Sequence, residues 1–317
     1  MLPGMMLSAV IAARNDNYGG DFQNRLRRCL QSLVHHFCRT GISAEIVVVE
    51  WNPTPSEPSL RALLQDTLPA HALPIRIISV PPEVHANLPG SSRSPMFEYR
   101  AKNVGIRRAA GDYILAMNPD IILSTGLHNF LNSRRLRETA FYRVDRYNLP
   151  AFPDPEPDAD GLGRWCRTNW TSVLTYWSEI NRDDWFRRLL NEGAHVTLPM
   201  RGGGRGHPHG HGAGDFMLMH RKHWWSLEGY RETAVVNHLD SVGVFAALSL
   251  GLKQEILRGD RRIFHQHHER SEQRERISDL DNNLLTEARR LLGEGQAFPG
   301  NGPDWGLGSI ALPETTT

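Results

Sequence analysis

The segment from Tyr99 to Leu123 constrains the fold of this chain more than any other. Helical spacing of apolar residues predicts a helix over 100–110, which Gly111 ends. Residues 113–117 are then apolar, as in a parallel strand buried on both faces. The tripeptide Asn-Pro-Asp at 118–120 follows at once. Since open α/β sheets bind ligands at the carboxyl ends of their strands, the segment predicts an α/β fold with a ligand site after this strand.

Asp120, with Asn118 nearby, is the first candidate for a ligand-binding residue at the carboxyl end of the predicted strand 113–117. A carboxylate there is placed to hold a divalent cation against a phosphate. Mg²⁺ usually takes only one or two protein carboxylates and completes its shell with water and phosphate oxygens. An ordinary turn is the alternative, because Asn, Pro and Asp all favour turns.

Composition narrows the class of protein. The 317 residues suit one large α/β domain or two smaller ones, and the net charge of +1 argues against a nucleic-acid partner. No apolar run approaches the roughly 18 residues of a membrane span, although peripheral membrane contact stays open. Three scattered cysteines and an N-terminus without a signal-peptide pattern favour a cytoplasmic protein. The oligomeric state cannot be predicted from this sequence.

Strands and helices alternate through the first 125 residues. This alternation predicts a mostly parallel sheet with right-handed crossovers. The predicted strands are 7–13, 45–49, 75–80 and 113–117, and the predicted helices are 22–37, 59–68 and 100–110.

The pattern changes beyond residue 140. The Pro/Asp-rich stretch 150–162 and the Gly/His-rich stretch 201–214 are expected to be loops, and the last residues of the tail to be disordered. The predicted strands are 141–147, 215–220 and 253–257, and the predicted helices are 240–250 and 277–292.

Two segments resemble family-2-type glycosyltransferases of the GT-A fold. In the first, Lys102-Asn103 stands at the Arg-Asn position of the family and Asn118-Pro119-Asp120 at its Asp-x-Asp position. In the second, 214–232, the order of elements matches: a glycine, the polar Asp215, an apolar strand, the basic pair Arg221-Lys222, and Gly229-Tyr230-Arg231-Glu232. The resemblance covers about residues 6–125 and 212–270.

The resemblance implies a single GT-A-like α/β domain, with a central mostly parallel sheet flanked by helices and a Rossmann-like nucleotide-binding half. Residues 1–125 would be the nucleotide-sugar-binding half, 126–275 the acceptor-binding half, and 276–317 a C-terminal helix and tail. The implied activity is transfer of a sugar from a UDP- or GDP-sugar to a hydroxyl acceptor, which would be a glycan, a lipid-linked saccharide or a small molecule. The reaction would be inverting and would depend on Mn²⁺ or Mg²⁺.

The resemblance also implies a metal ligand set and a base. Asp120 would hold the metal, with a histidine that follows the last strand. His265 and His267 are preferred over His268, because they alternate and would face one side of an extended segment. Asp240 stands where the family has its general base, and a helix N-cap is the alternative reading of this residue.

Nucleotide contacts are expected where the first two strands end. Arg14 and Asn15 follow the first strand, and Glu50 and Trp51 follow the second. A glutamate accepts hydrogen bonds from a ribose hydroxyl or a base N–H, and a tryptophan offers a stacking face. The other expected nucleotide contacts are Lys102, Asn103 and Asn118.

Departures from the family pattern keep two alternatives open. Asn118 replaces an aspartate, and Leu239 replaces the glutamate beside Asp240, so the chain could be a catalytically inactive sugar-nucleotide-binding protein. The histidines at 207, 209 and 211, with those at 265–268, leave open a metal-dependent hydrolase.

The strand at 141–147 carries several charges. Arg143 and Arg146 are candidates for phosphate or acceptor contacts, and an internal ion pair with Asp145 is the alternative.

Overall fold

The computed structural model of the chain describes residues 6–65, 73–133, 135–175, 178–190, 208–234, 238–269 and 278–316. The strands in these parts are β1 (Leu7–Ala13), β2 (Ala44–Trp51), β3 (Ile75–Val80), β4 (Tyr113–Met117), β5 (Ile121–Leu123), β6 (Ala140–Val144), β7 (Arg146–Asn148), β8 (Ser172–Leu174), β9 (Glu179–Asn181), β10 (Phe216–His220), β11 (Lys253–Leu257), β12 (Ile263–His265) and β13 (Glu314–Thr316). The helices are α1 (Phe22–Thr40), α2 (Leu60–Gln65), α3 (Pro82–Ala86), α4 (Glu98–Arg108), α5 (Thr125–Asn132), α6 (Ala159–Asn169), α7 (Arg221–Leu227), α8 (Leu239–Ser249) and α9 (Ser278–Gly293), and 185–190 is also helical.

An eight-stranded mixed sheet forms the centre of the fold. Its strand order is β11-β6-β10-β4-β1-β2-β3-β13. Strands β4, β1, β2 and β3 run parallel to one another, whereas β10 is antiparallel to both β4 and β6. This arrangement confirms the predicted α/β class with a parallel centre, and it places the ends of β1, β2 and β4 at one edge.

Strand β1 shows why the parallel centre forms. Its seven residues are all buried, with Ala9 and Ile11 packing in one apolar cluster and Val10 and Ala12 in the other. The first cluster includes the apolar face of α1, and the second includes α4. Because successive strand residues point to opposite faces, a continuous apolar run is what a sheet covered by helices on both sides requires.

A second, five-stranded sheet was not predicted. Its order is β5-β12-β7-β8-β9, and each of these five strands is three residues long. The predicted strand at 141–147 is interrupted at Asp145, so that β6 joins the main sheet and β7 joins the second sheet. This sheet brings β12 beside β5, which directly follows Asp120.

The prediction of a loop over 150–162 is right for 150–158 and wrong for 159–162, and the prediction of a disordered tail end is wrong. The stretch 150–162 contains the start of α6, where the Asp158 side chain accepts a hydrogen bond from the Gly161 N–H. The tail is not disordered at its end, because β13 pairs with β3 as an antiparallel edge strand. The Arg108 side chain also donates to the carbonyls of Gly306 and Leu307.

Candidate metal and nucleotide site

Asp120, His265 and His268 converge beyond the end of β4. The Asp120 Oδ2 atom lies 3.6 Å from His265 Nε2 and 3.3 Å from His268 Nε2. One ligand atom from each residue lies within 4.8 Å of the others. The Asp120 Oδ1 atom is buried and has no hydrogen-bond partner among the described residues. One carboxylate and two imidazoles, with an unused buried carboxylate oxygen, fit a divalent cation that shares its remaining positions with water or phosphate.

The electrostatics of this cluster favour an ionised Asp120. Burial alone would raise the pKa of the Asp120 carboxyl, but His265, His268 and Arg25 together lower it well below its usual range. Burial lowers the pKa of His265 despite the nearby Asp120. A carboxylate and a neutral imidazole are the states that bind a metal ion, and the pKa shifts of Asp120 and His265 favour these states.

Arg25 was missed by the sequence analysis, although it supports the cluster. It lies on α1 with 1% of its surface exposed, and its Nη1 atom lies 3.4 Å from Asp120 Oδ2. Its Nε and Nη2 atoms donate to the Gly20 carbonyl at 3.2 and 3.1 Å, and Nη2 also donates to the Tyr18 carbonyl. Arg25 therefore holds the loop after β1 beside the candidate metal ligands. Its position on α1 resembles that of the other polar residues of this helix, so no sequence pattern distinguishes it.

The structure brings His268 to Asp120 instead of the preferred His267. Strand β12 ends at His265, so the strand alternation that favoured His267 does not continue, and His267 is exposed. The His268 ring lies 5.7 Å from the Tyr18 ring. Gly19 also approaches it, since a Cβ atom at Gly19 would lie 2.8 Å from His268 Nδ1.

Lys102 and Asn118 belong to a buried polar network beside the cluster. Lys102 has no exposed surface, and its amine donates to Glu98 Oε1 at 2.8 Å, Asn118 Oδ1 at 2.5 Å and the Gly214 carbonyl at 2.9 Å. The Asn118 Nδ2 atom donates to Asp215 Oδ1 at 2.9 Å. The Lys102 amine, with its three protons used, holds Asn118 and the turn at Gly214 in place.

Asp240 lies next to this network and is half-buried. Its Oδ2 atom accepts a hydrogen bond from the Gly214 N–H at 2.9 Å, and Gly214 directly precedes Asp215. The N-cap position of α8 is occupied by His238, with a φ of 57°, so the reading of Asp240 as the N-cap is wrong. The short turn Ala213–Asp215 therefore connects the candidate base to the residues near the candidate metal ligands.

The polar residues at the ends of β1 and β2 form hydrogen bonds within the protein. Arg14 donates to the Asn52 carbonyl at 2.8 Å and to Thr54 Oγ1 at 2.9 Å. The Asn15 side chain donates to the Pro58 carbonyl at 2.6 Å. Glu50 is 4% exposed and accepts a hydrogen bond from the Leu60 N–H at 2.6 Å. These contacts hold the loop after β2 against the end of β1.

Two residues from the predicted nucleotide set are core residues. Trp51 has no exposed surface, and its Nε1 atom lies 3.0 Å from His85 Nδ1, so its predicted stacking face is covered. Asn103 is fully buried, and its side chain exchanges hydrogen bonds with the backbone of Tyr230 at 2.7 and 2.8 Å. Asn103 therefore joins the segment 229–232 to α4 through hydrogen bonds.

The described part of the Gly/His-rich stretch is anchored to the main sheet. His209 is buried, and its Nε2 atom lies 3.0 Å from Asp145 Oδ1. Arg143 is fully buried and donates to the carbonyls of His211 and Ala213 at 2.9 and 3.3 Å. Asp145 thus pairs with a histidine, and Arg143 binds backbone carbonyls instead of forming the alternative ion pair with Asp145. The candidate His207 lies outside the described residues.

Comparison with solved structures identifies the fold. The chain is similar to residues 1–349 of TarS from S. aureus in complex with UDP, with a TM-score of 0.51 and 12% identity, over 96% of this chain and 70% of that one. The complex of TarS 1–349 with UDP-GlcNAc gives a TM-score of 0.50 and 12% identity, over 92% and 66%. This chain thus spans about two thirds of the length of these structures. The chain therefore shares the fold of TarS 1–349, a GT-A-like α/β fold.

Sequence comparison adds no family assignment, since no protein-family model and no curated protein sequence matches this chain. Within the described ranges, no helix is both long and apolar enough to span a membrane.

Proposed function

We propose that this protein is a glycosyltransferase that moves a sugar from a nucleoside diphosphate sugar to a hydroxyl acceptor. The observation that carries the proposal is the cluster of Asp120, His265 and His268 at the carboxyl end of β4 in a GT-A-like fold. The Asp120 oxygen without a hydrogen-bond partner supports a cation at this place, because buried polar atoms in proteins are nearly always satisfied.

Asp120, His265 and His268 would hold a divalent cation, Mn²⁺ or Mg²⁺. When bound, the cation supplies Lewis-acid stabilisation of the departing diphosphate. Arg25 keeps the Asp120 carboxylate oriented, and the loop at Gly19 lies against His268. The donor would be a UDP- or GDP-sugar, and UDP is favoured because TarS binds UDP and UDP-GlcNAc in its crystal structures.

Asp240 would act as the general base of an inverting transfer. Its carboxylate accepts the proton of the acceptor hydroxyl as that oxygen forms a bond to C1 of the sugar. The bond between C1 and the phosphate oxygen breaks at the same time, and the electron pair leaves with the nucleoside diphosphate. The Gly214 N–H holds Oδ2 of Asp240 and so restricts the direction of the carboxylate.

Calorimetric titration tests the donor class and the metal site together. UDP, GDP, CMP and dTDP are titrated into the protein with Mn²⁺ and with EDTA. We expect binding of one nucleoside diphosphate that depends on Mn²⁺. The matched pair His268→Ala and His267→Ala separates the proposed ligand from its exposed neighbour, since only His268→Ala should lose the Mn²⁺ dependence. Absence of any nucleotide binding would refute the proposal.

A catalytically inactive sugar-nucleotide-binding protein is the second candidate. One observation favours it: Leu239, at the glutamate position of the family pair, is 3% exposed and packs in the core, so this position supplies no carboxylate beside Asp240. Release of UDP from UDP-sugars in the presence of candidate acceptors separates the two functions. For a transferase, Asp240→Asn should lower the rate about 10²- to 10⁴-fold while UDP binding persists. For a binding protein, wild type releases no UDP.

A further inference from the structure

Three buried polar atoms without a hydrogen-bond partner among the described residues lie around β12. Asp120 Oδ1 lies on the side of β5, and Arg146 Nε and Asn148 Oδ1 belong to β7 on the other side. In the parallel pairing of β7 with β12, Arg146 is opposite Ile263 and Asn148 is opposite His265. Paired residues share a face of the sheet, so Arg146 and Asn148 lie on the face that carries His265. The unsatisfied atoms indicate that a polar ligand extends from the metal cluster towards β7.

Arg146 presents an unoccupied edge of its guanidinium. Its Nη1 atom donates to Asp215 Oδ2 at 3.0 Å, and the Asp215 side chain is only 5% exposed. Its Nε and Nη2 atoms have no acceptor among the described residues. These two N–H groups form one fork of the planar guanidinium, and such a fork matches two oxygens of a phosphate group.

Arg146 differs in this respect from the other cations near Asp120. The Lys102 amine already has three acceptors, and Arg25 is committed to two backbone carbonyls and to Asp120. Arg146 is also near the candidate metal cluster, since it pairs with Ile263, two residues before His265 on β12. Its side chain is 14% exposed as a whole, whereas its Nε atom is buried without an acceptor among the described residues.

We propose that Arg146 is a phosphate-binding residue, whose Nε–Nη2 edge holds the β-phosphate of the donor beside the cation while Asp215 positions the guanidinium. The inference rests on the proposed transferase or nucleotide-binding function. The β-phosphate carries the bond to the sugar, and its negative charge grows as that bond breaks. Arg146 would therefore share with the cation the stabilisation of the leaving group. Asp215 is a positioning residue, because it acts through Arg146.

Titration of UDP and of UMP, which lacks the β-phosphate, tests this inference in the presence of Mn²⁺. Arg146→Gln should weaken UDP binding about 10- to 100-fold and UMP binding by less than about 3-fold. Arg146→Lys keeps the charge but loses the fork, so an intermediate loss is expected. Arg164→Gln, at an exposed position of α6, should bind both nucleotides as wild type does.

Thermal unfolding of each variant accompanies the titrations, and Arg146→Lys decides the test if Arg146→Gln is not folded. Unchanged UDP binding in Arg146→Lys and Arg146→Gln would overturn the inference, as would equal losses for UDP and UMP, which would indicate general damage to the site. If wild type binds neither nucleotide, the proposed function itself fails, which is a different result.

Discussion

Replacement of Lys102 by methionine should destabilise the protein strongly, because the amine is fully buried. The variant removes a proton donor from Asn118 and from the Gly214 carbonyl, and a counter-ion from Glu98. Breaking a buried ion pair by removal of one partner costs about 3–5 kcal/mol. Unfolding entropy of about 2.1 cal/mol/K per residue gives about 0.7 kcal/mol/K for 317 residues, so Tm should fall by about 4–8 °C.

Lys222→Met is the matched control. Lys222 also pairs with a glutamate, Glu138, but both side chains are about half exposed. Exposed ion pairs contribute at most about 1 kcal/mol, so Tm should fall by less than about 2 °C. Scanning calorimetry of both variants measures the difference. If Lys102→Met lowers Tm no more than Lys222→Met does, the argument that Lys102 stabilises the buried network is wrong. The double variant Lys102→Met/Glu98→Gln should recover part of the loss, because no unpaired carboxylate remains.

The loop after β1 and the buried histidines give two further predictions. Gly19→Ala should weaken Mn²⁺ binding several-fold, because the added Cβ atom would meet His268. Gly20→Ala is the control, since Gly20 has a similar positive φ but a Cβ atom there would have no neighbour within 4 Å. Equal Mn²⁺ affinities of the two variants in calorimetric titration would contradict this prediction. Burial lowers the pKa of His36 from 6.5 to about 4, so the unfolded chain takes up a proton first, and stability should fall as pH drops from about 6.5 towards 4. Urea midpoints at several pH values should show a shallower slope in His36→Gln, and an unchanged slope would refute the assignment.

The parallel centre of the sheet was predictable because its signals are local. Strands β1, β3 and β4 have the predicted bounds, since each is a mainly apolar run that ends before a polar residue or a proline. The second sheet depends on short strands such as β7 and β12, whose pairing joins segments more than 100 residues apart. No periodicity develops in three residues, so this sheet could not be predicted from patterns. The same holds for β13, where pairing with the edge of β3 overrides a sequence typical of a disordered tail.

The candidate site was predictable where a strand end determines the position of a side chain. Asp120 follows β4, and His265 ends β12, and both side chains lie in the cluster with His268. The choice between His267 and His268 depends on the residue at which β12 ends, which the sequence does not define. Lys102 and Asn103 were predicted as nucleotide contacts, but burial directs their side chains to internal partners.

The two hydrogen-bond partners of the Asn118 side chain explain why an amide and not a carboxylate occupies this position. Asn118 accepts a hydrogen bond from Lys102 through Oδ1 and donates to Asp215 through Nδ2. An aspartate at 118 would have no proton to donate, and its charge would lie beside the buried Asp215 carboxylate, which costs stability. The carboxylate of Asp215 thus stands next to the position where the family has its first acidic residue. Asn118 and Asp215 therefore form one interdependent pair, and the missing acidic residue does not by itself argue against a cation at Asp120.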